Sequence, residues 1–290
     1  MKKIFLLILV IASLCSCETV VDIELPEHKP VLVMNGVLST DSVFYIKMTH
    51  SKSSLDTKPI EPILNATVNL YYPGGQLIGN LDHTGGGYYS IPSFIGTPGA
   101  EYVIEAVAPN YDKISATAAI PVPVPVLSYT FKDSALDMGG YMVAQLDVTI
   151  NDPLEKNYYA IQLLKIDTAI PSFPHIEAMW IYPANSESGF EEEGLTDVLV
   201  NDELFNGKSH TVSVLLDSYH LEPFYQPNHT LQLQLRLKTI SRDLYLYERT
   251  FNLQQLNSGN PFSEPVRVHG NITGGFGILG AYSVDTVMIK

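Results

Sequence analysis

The sequence predicts a mainly β protein, an antiparallel β-sandwich followed by a second β-rich domain that carries one short helix. Three observations predict it. Short runs rich in β-branched and aromatic residues alternate apolar and polar positions with a period of two. Clusters of Gly, Pro and Asn separate these runs at regular intervals. Helical periodicity of apolar residues occurs convincingly only once after the leader.

Taken in order, the pattern starts at Thr19, where Val21, Ile23 and Leu25 alternate with Asp22 and Glu24 up to Pro26. Residues 17–29 therefore read as a tether or a first strand. Runs at 31–34, 43–48, 66–72, 76–78, 87–91, 101–107 and 114–119 follow, so that residues 30–120 form the sandwich. Turns at Pro73-Gly74-Gly75, Thr84-Gly85-Gly86-Gly87, Pro98-Gly99 and Pro109-Asn110 divide them. Pro121-Val-Pro-Val-Pro125 fixes an extended backbone and withholds N–H donors from any ladder, which makes residues 121–125 a linker. In residues 126–290, strand-like runs at 126–131, 141–150 and 158–166 precede a long acidic loop, 167–209, containing Glu191-Glu-Glu193 and the single tryptophan, Trp180. Strands resume at 211–216 and 231–239. Ser241 is placed to cap a helix in which Ile240, Leu244, Tyr247 and Phe251 recur at steps of four, three and four. The tail, 266–289, is glycine-rich and then β-like.

The N-terminus reads differently. Met1-Lys2-Lys3 precedes an apolar run at 4–12 and then Ser13-Leu14-Cys15-Ser16-Cys17. Residues 1–16 are expected to be a signal peptide, because the run is about half the roughly 20 residues that cross a bilayer. Leu14 three places before Cys17, and Ser16 directly before it, match a lipobox, so Cys17 is expected to be acylated and to hold the mature chain on a membrane. The sequence has 2 cysteines. With Cys15 removed and Cys17 taken by lipid, thiol catalysis, cysteine-ligated zinc and iron–sulfur clusters are excluded from the mature chain. The net charge of −14 becomes −16 when Lys2 and Lys3 leave with the signal, so nucleic acid is not an expected partner. An anionic leaflet repels such a body, and attachment falls to acyl chains.

Several short motifs succeed one another along nearly the whole chain. Cys17-Glu-Thr-Val-Val-Asp-Ile-Glu-Leu-Pro26 is followed by Val31-Leu-Val-Met-Asn-Gly36, Ala66-Thr-Val68, Pro98-Gly-Ala-Glu-Tyr102 and Ala108-Pro-Asn-Tyr111. Asn151-Asp-Pro153, Pro265-Val266 and Asn271-Ile-Thr-Gly-Gly-Phe-Gly277 complete the series. In this order they resemble the Bacteroidota outer-membrane lipoproteins grouped as domain of unknown function 4249. The resemblance implies an immunoglobulin-like or transthyretin-like first domain and genes often placed beside TonB-dependent receptors. It further implies an outer-membrane lipoprotein working with a β-barrel partner, and it carries over no catalytic residue. Surface-exported lipoproteins of that phylum carry several acidic residues after the cysteine, whereas here Glu18 is followed by Thr19, Val20 and Val21. The cell surface is expected somewhat ahead of the periplasmic face.

Gly275-Phe-Gly-Ile-Leu-Gly280 is a literal G-x-G-x-x-G, but a dinucleotide site needs a following helix and an acidic residue about twenty positions on. The plainer reading is that these glycines serve backbone needs such as a bulge or a close chain crossing. Eight histidines are dispersed without zinc-helix spacing, although His210, His220 and His229 could converge on folding. Glu191-Glu-Glu193 and Asp202-Glu203 match no EF-hand loop and read as solvated acid, with calcium as the alternative. No Gly-x-Ser-x-Gly elbow is present. Tyrosines come in pairs, Tyr88-Tyr89, Tyr158-Tyr159, Tyr245 with Tyr247, and neighbours on a strand face opposite ways. The expected interaction surface is Trp180, Tyr182, Tyr219 and Tyr225, because long irregular segments tend to carry function.

The sequence therefore sets three expectations in order. The first is a non-enzymatic accessory or binding subunit of an outer-membrane complex, with no cofactor and no metal, whose partner is a β-barrel such as a TonB-dependent receptor in nutrient uptake. The second is a stand-alone surface lipoprotein that binds a glycan or peptide through Trp180 and its neighbours. The third is a hydrolase.

Overall fold

The computed structural model describes residues 28–53, 55–169, 174–184, 196–218, 221, 230–258 and 262–290. Cys17, the alternating stretch at 19–26, Glu191-Glu-Glu193, Tyr219, His220, Tyr225 and His229 lie outside the described residues. Alternation in the sequence becomes one-sided burial. In β1 (Leu32–Ser39), Leu32, Met34 and Leu38 are buried while Val33, Asn35 and Val37 are partly exposed. The same holds for β2 (Tyr45–His50), β3 (Thr67–Tyr71), β6 (Glu101–Val107) and β7 (Ile114–Ala119). With β4 (Leu77–Gly85) and β5 (Tyr88–Ser90) these are the seven strands the sequence predicts between residues 30 and 120.

The remaining strands are β8 (Val126–Leu136), β9 (Met142–Asn151), β10 (Tyr158–Asp167), β11 (His175–Ala178), β12 (Tyr182–Pro183), β13 (Val198–Asn201), β14 (Ser209–Asp217), β15 (Leu231–Ile240) and β16 (Phe276–Met288). The helix α1 (Arg242–Asn257) precedes β16. Residues 167–209, expected to be irregular, thus contain three short strands. None shows a clear two-residue period of its own, because β11 and β13 borrow their order by pairing with the two ends of β10.

One long sheet runs in the order β11-β10-β15-β16-β1-β2-β5-β4-β3-β6-β7, with β13 also on β10. Strand β4 turns the corner: Leu77 to Leu81 pair with β3, and Asp82 to Gly85 pair with β5. The β4-β3-β6-β7 end therefore folds over β1, β2 and β5, and one cluster fills the space between them, including Met34, Ile46, Leu70, Ile104 and Ile114. A separate sheet, β12-β14-β9-β8, covers β10 and β15. Leu146, Val148, Val214 and Leu216 meet Ile161, Leu163, Leu235 and Leu237 there. Both layers lie on the same face of the long sheet, since Leu279 and Ala281 of β16 join the first core and Val287 of the same parity joins the second. The opposite face receives α1, over Tyr158, Ala160, Leu199 and Ile240.

Strand β16 ties the halves together. Its first part pairs parallel to β1, from Val33↔Phe276 to Ser39↔Tyr282, and its second part pairs antiparallel to β15, from Ile240↔Tyr282 to Gln234↔Met288. The glycine-rich motif serves this crossing, as the backbone reading predicts. A Cβ on Gly275 would stand 2.5 Å from the Leu32 carbonyl oxygen, and one on Gly277, whose φ is +110°, would collide with the Met34 carbonyl. Gly280 faces the helix, where a Cβ would meet Leu244 at 2.7 Å. Where β15 has ended, Asn271 completes the β16 edge: its amide oxygen accepts from the Leu279 N–H at 2.8 Å and its amide nitrogen donates to the Leu279 carbonyl at 3.0 Å.

Ser241 caps α1, accepting from the Leu244 N–H at 3.3 Å and from the Ala281 N–H at 3.2 Å. Asp243 in the first turn bonds His269 Nε2 at 2.8 Å. The helix buries Leu244 and Tyr245, while Phe251 is exposed and stacks on Tyr247. The proline linker is extended, and it is docked: Val124 is buried and donates its N–H to Thr239 Oγ1 at 3.0 Å, and Val126 donates to Asp285 Oδ2 at 2.8 Å. The Asn151-Asp-Pro153 motif pins two loops. Asp152 accepts from the Tyr159 hydroxyl and from the Gly207 N–H, and Asp202 accepts from the Asn157 N–H. Burial, and then the Asp152 bond and charge, push the Tyr159 phenol strongly upward. No helix of the described residues is long and apolar enough to cross a membrane.

Candidate functional site

The helix does not cover its whole face of the long sheet. Between α1 and the β2–β5 side lies an open cleft of about 430 Å³, within the range of small-ligand sites. Strand alternation supplies its walls. Ile46 and Met48 of β2 enter the core, so Tyr45 and Lys47 point the other way, into the cleft. Tyr89 of β5 is buried, donating its hydroxyl to the Ile63 carbonyl at 2.9 Å, so Tyr88 lines the cleft. Leu235 and Leu237 of β15 are core, and Lys238 faces outward; Tyr282 of β16 stands beside it. The helix contributes Tyr247 and Glu248, and the segment before β13 contributes Asp197.

Part of this polar surface is internally satisfied. Lys238 Nζ lies 2.6 Å from Asp197 Oδ1, and Gln162 donates to Asp197 Oδ2 at 3.0 Å. Arg236 donates to Gln162 Oε1 at 2.8 Å and pairs with Asp41, which also accepts from the Tyr282 hydroxyl at 2.9 Å. Burial, and then the Asp41 charge, push the Tyr282 phenol up. Lys238 also lies 5.5 Å from the Tyr282 ring centroid. The cleft floor is thus close to neutral.

Two charged groups on the walls stand outside this network. Glu248 is half-buried, and burial first, then the Asp197 charge, hold its carboxyl above the usual range against the opposing pull of Lys238. Lys47 is exposed, and its ammonium sits 5.1 Å from the Tyr88 ring centroid with no ion pair to a carboxylate among the described residues. Tyr45 and Tyr88 meet edge to face, 5.9 Å between centroids, and are 56% and 39% exposed. The arrangement offers phenol surfaces, one cation and one strained carboxyl to a ligand.

Of the interaction surface singled out from the sequence, the two described residues, Trp180 and Tyr182, lie elsewhere. Trp180, between β11 and β12, is 59% exposed. Tyr182 in β12 is half-buried, its phenol pushed up by burial and by the Asp137 and Asp217 charges. Both belong to the region of the small sheet that covers the opposite face from the cleft. His210 stacks on Phe205, with centroids 4.0 Å apart, as a packing residue. The cleft residues missed by sequence reasoning are Tyr45, Lys47, Asp197, Lys238, Glu248 and Tyr282. Tyr88 and Tyr247 did stand among the paired tyrosines, and the outward parity of Tyr45 and Lys47 was the available signal for the rest.

Residues 18–287 match the family model described as Domain of unknown function (DUF4249). No curated protein matches the chain. Among solved structures, a point mutant of Salmonella alpha-2-macroglobulin aligns at 13% identity and a TM-score of 0.25, covering 92% of this chain and 15% of that one. This chain therefore spans a small part of that protein. The B domain of a biofilm-associated protein aligns at 8% identity and a TM-score of 0.17, covering 89% and 86% of the two chains.

Proposed function

The chain belongs to the DUF4249 family, and from that membership we propose that it is a non-enzymatic binding subunit, anchored by a lipid on Cys17, of an outer-membrane β-barrel complex. The barrel partner in this reading is a TonB-dependent receptor engaged in nutrient uptake. The observation that carries the reading is the cleft, where exposed tyrosines, Lys47 and Glu248 converge on one open surface. It suits capture of a ligand. A second surface supports the partner. At the tip of the β8–β9 hairpin Leu136, Met138, Tyr141 and Met142 are all exposed, an apolar group of the kind that marks protein interaction sites.

Purification of the full-length protein from native membranes in mild detergent tests this. A β-barrel protein is expected to co-elute, and replacement of residues 136–142 by a Gly-Ser turn is expected to release it while the thermal melt stays unchanged. Reproducible recovery of the lipoprotein alone would overturn the accessory role.

A further inference from the structure

We infer that the cleft is built for an acidic carbohydrate, a glycan bearing a uronic-acid carboxylate that is read by Lys47 while its ring lies against Tyr45 and Tyr88. The inference rests on the cleft being the ligand site and names what that site takes. Of the charged side chains lining it, Asp197 and Lys238 neutralise one another at 2.6 Å. Lys47 and Glu248 are left for the ligand. Lys47 offers three N–H donors suited to a carboxylate, and a charge-assisted bond of this kind is among the stronger single polar contacts. Its position over the Tyr88 ring places the anion at the edge of an aromatic surface rather than in open solvent.

The backbone argues against an extended peptide. Strands β1, β2, β5 and β16 are each hydrogen-bonded on both sides, and the one edge strand that lines the cleft, β13, is four residues long, so little strand edge is offered onto which a peptide main chain could add. Recognition falls to side chains. Exposed phenol rings give flat apolar surfaces for the C–H face of a sugar, while Glu248 supplies an acceptor for hydroxyls. The net charge of −14 opposes an anion at long range. That repulsion is screened beyond about 8 Å at physiological salt, and the local cation decides the contact.

Calorimetric titration of the purified full chain with oligogalacturonate, and with the same oligomer after chemical reduction of its carboxyls, tests the inference. The acidic form is expected to bind at least roughly tenfold more tightly, the scale of one charge-assisted contact. Lys47→Met is expected to abolish that difference, and Tyr88→Ala to weaken both oligomers, with the urea midpoint of each variant unchanged. Equal binding of the two oligomers, or a Lys47→Met variant that still prefers the acidic one, would overturn the charge assignment. Binding of acidic peptides but of neither sugar would overturn the carbohydrate class and leave the cleft as the ligand site. Binding of none of these would overturn the inference, while co-elution with a barrel would remain the separate measure of the accessory role.

Discussion

Glu248 shows how a single residue links site and stability. Its folded-state pKa lies above the ordinary carboxyl value of 4.5, because burial and Asp197 both disfavour the charge. The native state therefore binds the proton more tightly than the unfolded chain does. Stability is lost as pH rises from 4.5 through the higher folded value, and it returns on acidification. Glu248→Gln removes that loss. The variant is expected to be at least as stable as the natural protein at pH 7 and to give up its advantage below pH 4.5, as read from urea midpoints across the range. At this scale the sequence was partly legible. The opposite orientations of Tyr88 and Tyr89 follow from strand parity, and the density of glycines at 275–280 signals the close chain crossing that the fold makes there. Lys47 and Glu248 were not legible as neighbours, since 200 intervening residues separate a strand position from a helical one. Trp180 drew attention as part of a long irregular segment, and irregularity carries no information about which face of a sheet a residue occupies.

Among the elements, α1 and β16 illustrate what local pattern conveys and what it does not. The Ser241 cap and the helix were legible because capping chemistry and a 3.6-residue period lie within one segment. The buried stripe was only half right: Leu244 is buried as expected, but Tyr245 enters the core in place of Phe251, because Gly280 lets the first turn settle most closely on β16. Asn271 belongs to the same joint. Its amide supplies both ladder bonds to Leu279, a residue with no exposed surface, and a third to Asp243 at 3.3 Å. Asn271→Ala leaves a buried N–H and C=O without partners and is expected to cost about 2–3 kcal/mol, measured by urea denaturation.

For the whole molecule, the sequence announced two β-rich halves joined by prolines, and the seven strands before residue 120 are those it predicted. The single sheet running through both halves was hidden, because pairing between β1 and β16 joins residues more than 230 positions apart. No local pattern encodes such a partnership. Because β16 lies between β1 and β15, a chain ended at Gly275 is expected to lose cooperative unfolding in both halves, visible as a broad melt and rapid proteolysis of residues before 120. Preservation of a sharp transition from the first half would contradict that coupling.

Strand β16 also sets a timetable. It is downstream of every strand it joins, so the sheet that runs through both halves cannot close until β16 has emerged. Under the proposed lipoprotein route, which passes chains through a membrane before they fold, this delay is useful. The chain's own topology would keep it threadable until β16 has crossed, and that strand would then lock both halves at once.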